Sequence, residues 1–138
     1  MVRRILALLA GFVVANVIII AMQFVGGLIY GFPKIAPGDT ASIAAYTASL
    51  PTSAMLLLAF GYALGYLVGG YLTRKISKWN SIVLPSILGI LGTIGWTLNI
   101  SNIPHPTWMI VLGYLCFIPL ALLGHRLASS SGNAGVVE

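Results

Sequence analysis

The sequence predicts an all-α integral membrane protein, a four-transmembrane-helix bundle, and three observations carry the prediction. Hydrophobic residues make up 59% of the 138 and charged residues only 7%. The mean hydropathy is +1.01, too apolar for a soluble domain of this size. The apolar residues are gathered into four runs, 5–31, 52–73, 82–103 and 107–128, each near the ~20 residues that cross a ~30 Å hydrocarbon core. Residues 1–128 therefore read as one four-helix transmembrane domain and 129–138, small and polar, as a disordered cytoplasmic tail.

The first run follows Arg3-Arg4 and continues to Phe32, longer than the h-region of a signal peptide, and no convincing cleavage site follows it. It is expected to be a retained span. Ala7, Gly11 and Ala15 recur every four residues and so share one helical face on which a second helix approaches closely. Asn16 and Gln23, seven residues apart, lie along one stripe of the same helix, and their amides need partners in an apolar medium.

Residues 33–51 form the longest connection. Asp39 before TASIAAYTASL reads as an N-cap, and Ile43, Tyr46 and Leu50 make a narrow apolar face, so a short interfacial helix lying on the membrane surface is expected in this first loop. The second run places Gly61, Gly65 and Gly69 on one face, edged by Tyr62 and Tyr66, and closes on Arg74-Lys75. Its glycine face suits the small face of the first run. The third run starts near Pro85, a tolerated first-turn position, and ends on Thr97, Asn99, Ser101 and Asn102 before Ile-Pro-His-Pro. The fourth begins at Trp108, contains Pro119, which should kink it or free a carbonyl, and stops at Gly124-His125-Arg126. His125 beside Arg126 reads as an anchor near head groups, and Cys116 as a packing residue. An offset of 52 superposes Gly61-Tyr62 on Gly113-Tyr114 and Arg74 on Arg126, a weak echo consistent with two hairpins of the same orientation.

Orientation follows from the basic residues. Arg3, Arg4, Arg74, Lys75, Lys78 and Arg126 fall on one side and Lys34 alone on the other, which predicts N-in/C-in topology with both termini in the cytoplasm. The net charge of +5 is scattered at helix ends rather than clustered on a polar face, so no nucleic acid partner is expected.

The runs hold no Asp, Glu, Lys or Arg at mid-span, which argues against a proton-coupled exporter. With two acids and two histidines far apart in the chain, no catalytic, cofactor or metal constellation is legible, and the protein is expected to be no enzyme and to need no cofactor. The candidate site is a polar outer vestibule of Asn16, Gln23, Asn99, Asn102 and His105; the other reading of these residues is a set of amides satisfied by one another across helices. Two functions compete. In one, the glycine-striped helices serve assembly, as a homo-oligomer or an accessory subunit of a membrane complex, with the lipid bilayer and itself or other membrane subunits as partners. In the other, the amides line a passive channel or carrier for a small neutral solute.

The basic N-terminus with Gly11, the Ala63-Leu64-Gly65-x-Leu67-Val68-Gly69 stretch, Ile103-Pro104-x-Pro106-x-Trp108, Ile118-Pro119 and Leu123-Gly124-x-x-Leu127-Ala128 together resemble a group of small four-helix bacterial inner-membrane proteins. The resemblance covers nearly the full length and implies the fold and a bacterial setting. Those proteins often carry a histidine where this chain has Tyr62.

Overall fold

A computed structural model describes residues 1–34 and 38–130. Among them are five helices and no strand: α1 (Val2–Tyr30), α2 (Thr40–Ser49), α3 (Thr52–Ser77), α4 (Val83–Asn102) and α5 (Thr107–Ser130). All but α2 are long and apolar enough to cross a membrane, the architecture of a multi-pass membrane protein.

Local chemistry accounts for the ends. α1 stops at Gly31, whose φ of 91° lies in the region that a residue without Cβ adopts freely, and Pro33 follows. α2 is capped by Asp39, whose carboxylate accepts the Ser42 amide at 3.1 Å and the Ser42 hydroxyl at 2.5 Å. α3 ends at Lys78 in the left-handed conformation, its amide donating to the Arg74 carbonyl at 2.9 Å. α5 is one continuous helix through Pro119. It also passes the expected boundary at 128 and runs to Ser130, with the Ser129 hydroxyl donating to the His125 carbonyl at 3.1 Å. The remainder of the expected tail, 131–138, lies outside the described residues.

α3 is the middle of the bundle, packed against α1, α4 and α5. Toward α1 it turns Gly65 and Gly69: a Cβ built there would stand 2.7 Å from the carbonyl oxygens of Ala15 and Gly11 respectively. Ala7, Gly11 and Ala15 are buried on the facing side. Thr73, fully buried, bonds the Gly69 carbonyl at 2.8 Å and so satisfies its hydroxyl within its own helix. Toward α5, Gly70 meets the backbone of Ala121, and Gly124 of α5 meets the backbone of Leu67. Dispersion and freedom from side-chain obstruction hold such faces together where water does not drive burial.

Above these glycines the core becomes aromatic. Tyr66 lies edge-on to Phe117 at 4.8 Å, Tyr62 to Trp96 at 5.3 Å and to Phe117 at 5.9 Å. The Trp96 indole N–H donates to the Ile110 carbonyl at 3.3 Å, so its polar edge is not orphaned. The outward faces are apolar: Leu9, Val13 and Val17 of α1, Ile94 and Leu98 of α4 and Leu115 of α5 are exposed. Gly61 faces Met22 of the preceding span and Gly113 faces Trp96 of the preceding span.

Candidate functional site

Because successive spans alternate in direction, the last third of α1, the first third of α3 and the last residues of α4 lie at the same end of the bundle. There Met22, Phe24, Met55, Leu57 and Leu58 stand beside Gly26 and Gly27, and the helices surround a cavity of about 680 Å³. α2 supplies one wall: the apolar face read from the sequence, Ile43, Tyr46 and Leu50, lines the cavity together with Thr47. The Tyr46 hydroxyl donates to the Gly31 carbonyl at 2.5 Å and ties that wall to the end of α1. At the far side Phe32 folds back over Gly27, its ring centroid 5.4 Å from that of Phe24 with the planes tilted by 48°.

The polar groups in this apolar cup are few. Gln23, Tyr62, Asn99 and His105 all line it, and among the described residues no Lys, Arg, Asp or Glu does. Gln23 of α1 and Tyr62 of α3 are neighbours in its lining. His105 is held by its Nδ1, 2.8 Å from the Ile103 carbonyl, and by its ring, 4.9 Å from that of Trp96. Asn99 is different: its Oδ1 is buried and has no hydrogen-bond partner, the single such side-chain atom among the described residues. An unpaired buried carbonyl costs about 1–3 kcal/mol. The terminal amide torsion is soft, so Asn99 can present either its oxygen or its nitrogen to the cavity.

Three of the five vestibule residues are thus brought together and two are not. Asn16 lies deeper in α1, where its Nδ2 donates to the Phe12 carbonyl at 2.8 Å. Asn102 faces outward and its Nδ2 donates to the Leu98 carbonyl at 2.7 Å. Both amides satisfy a donor on the preceding turn of their own helix, a route open to any Asn at that spacing. The sequence reasoning missed Tyr62 as a member of the cup and missed α2 as its wall. The 3.6-residue period held the second signal, since Ile43, Tyr46 and Leu50 already shared a face.

The cup does not run through the bundle. Its lining ends at Ile20 on α1, Tyr62 on α3 and Asn99 on α4; one turn further the buried Ile19, Tyr66, Trp96 and Phe117 fill the centre. The glycine faces, for their part, are occupied by the chain's own helices: Gly61, Gly65 and Gly69 by α1, Gly70 by α5. Assembly with another chain would have to use other surfaces.

At the opposite end the histidine read as a head-group anchor, His125, is buried and sits with its Nε2 3.3 Å from the Trp79 carbonyl. Among the described residues no group of three His, Cys, Asp or Glu side chains comes together around a point that would hold a metal. No family model matches the chain, and no curated protein or solved structure matches it.

Proposed function

We propose that this chain is a non-enzymatic bacterial inner-membrane protein that binds a neutral, largely apolar molecule with one hydroxyl or amide head in the cup between α1, α2, α3 and α4. The observation that carries the reading is the unpartnered Asn99 oxygen beside an apolar cavity of about 680 Å³. That volume lies within the roughly 300–1,000 Å³ of small-molecule sites, and the mix of apolar walls with a few convergent polar groups is theirs as well. A hydroxyl head both donates and accepts, so it complements the Asn99 amide and the Gln23–Tyr62 pair at once. A charged head would be stripped of water with no opposite charge to meet, at a cost several-fold larger.

The positive-inside bias gives the sidedness: both termini and the α3–α4 turn face the cytoplasm, and the cup opens outward with α2 at the interface. The closed aromatic floor favours binding over a passive channel. With the purified protein in detergent, a long-chain alcohol should raise the thermal unfolding midpoint. The carboxylate and the trimethylammonium of equal chain length should not. Equal stabilisation by all three would reject a neutral-head site, and no stabilisation by the alcohol would reject the ligand class.

A further inference from the structure

The end of the bundle away from the cup carries most of the charge. Arg3, Arg4, Arg74, Lys75, Lys78 and Arg126 are all there, whereas Asp39, the one acid among the described residues, caps α2 at the other end. A cluster of cations with no carboxylate repels itself unless an anion comes from outside. Three of these guanidiniums are also held in place, Arg3 by donating its Nε to the Ile76 carbonyl at 2.7 Å. Arg4 of α1 lies over the Trp79 ring, its guanidinium carbon 3.9 Å from the ring centroid. Arg74 of α3 is fixed from the other side: its Nε donates to the Ser129 hydroxyl of α5 at 2.9 Å. Ser129 is in turn 3.4 Å from the Asn80 Oδ1. Nε is the only Arg74 nitrogen with a hydrogen-bond partner among the described residues, and the terminal fork has none among them. Between the Arg4 and Arg74 guanidiniums runs the short α3–α4 turn, where Lys78 is exposed and Trp79 half-buried. The His125 contact to the Trp79 carbonyl braces the turn from α5.

We propose that Arg4, Arg74 and Lys78, arranged around the Trp79 turn, bind the phosphodiester headgroup of an anionic phospholipid. The planar fork of Arg74 matches two phosphate oxygens, and a guanidinium already oriented by its Nε loses little freedom on binding. Trp79 has the amphipathic ring that settles at headgroup depth, so the acyl chains of the bound lipid run down the exposed Leu6, Leu9, Val13 and Val17 of α1. A phosphate free in solution offers the same oxygens but no chains to lie on that apolar face. The lipid is therefore the stronger ligand, and basic pockets between spanning helices are suited to such headgroups.

Full-length protein in neutral detergent is titrated with phosphatidylglycerol, phosphatidylcholine or inorganic phosphate, and the unfolding midpoint is followed. Phosphatidylglycerol should raise the midpoint more than phosphatidylcholine, and phosphate at equal concentration should leave it unchanged. In the double variant Arg4→Gln/Arg74→Gln the phosphatidylglycerol affinity should fall roughly fivefold per guanidinium removed, equivalent to about 1 kcal/mol each. Lys34→Gln, at the cup end, should retain it. Equal response to both lipids, or an equal loss in Lys34→Gln, would overturn the site. Phosphate matching phosphatidylglycerol would overturn the lipid assignment. If the double variant does not fold, native mass spectrometry of the wild type from an equimolar lipid mixture decides the matter: preferential retention of phosphatidylglycerol supports the site, and equal retention rejects it.

Discussion

The two halves of the bundle both carry glycines and pack in opposite ways. Around Gly65, Gly69, Gly70 and Gly124 backbones touch, and a single methyl group would collide with a neighbouring main chain. Around Gly26 and Leu57 the helices stand apart, and a Cβ at Gly26 would meet only the Leu57 Cδ2 at an ordinary 3.8 Å. Gly95, on the outward side of α4, would meet nothing within 4 Å. Glycine permits close approach without causing it: what stands opposite decides. Small residues face the glycines of the tight half, whereas Met22, Phe24 and Phe32 prop the other half open.

The largest effect that would break this contrast is expected at Gly124. Gly124→Leu drives a branched side chain into the Leu67 carbonyl and should cost about 3 kcal/mol or prevent folding, while Gly95→Leu should stay within about 1 kcal/mol of the wild type. Thermal unfolding of the two variants in one detergent compares them directly. Similar losses would mean that the packing of the two faces is not different.

A smaller effect of opposite sign is expected in the cup. Asn99→Leu removes the unpartnered carbonyl and should stabilise the ligand-free protein by about 1 kcal/mol, while abolishing the response to a long-chain alcohol. Destabilisation together with retained binding would show that the Asn99 amide is already satisfied. The smallest effect concerns the α2 wall. The Ser42 hydroxyl and amide hold the Asp39 carboxyl below its ordinary value, so the cap favours the folded helix in its ionised form. That contribution is complete above the ordinary carboxylate range and is lost as pH falls through the lowered value. Hydrogen exchange of the α2 amides should accelerate on acidification relative to α3 after correction for the intrinsic rate, and Asp39→Asn should flatten that dependence. An unchanged pH profile in Asp39→Asn would remove the cap from the account.

The tight half was the more legible in the sequence. Ala7, Gly11 and Ala15 and the glycines of α3 recur every four residues, and that period alone puts them on facing stripes. The cup was less so because its members come from four separated segments and each is ambiguous alone. Asn16 and Gln23 lie along one stripe of α1, yet only Gln23 is beyond the aromatic floor, and depth is set by packing that no local period encodes. His125 was misread for a related reason. Adjacent helix positions point about 100° apart, so its neighbour Arg126 was a poor guide. Phe117, Ala121, Gly124 and Ala128 define the buried face of α5 on which His125 lies.

The central claim is that the cup, and not the outer surface, takes up a neutral amphiphile. Photo-crosslinking with a long-chain alcohol bearing a terminal diazirine, followed by peptide mass spectrometry, locates the bound chain. Adducts should concentrate on Ile43, Tyr46, Leu50 and Met55, toward the mouth and away from the head at Tyr62, compete away with the plain alcohol but not with the matching carboxylate, and disappear in the cavity-filling variant Gly26→Trp. Adducts spread over Val13, Val17 and Leu115 and indifferent to Gly26→Trp would contradict it.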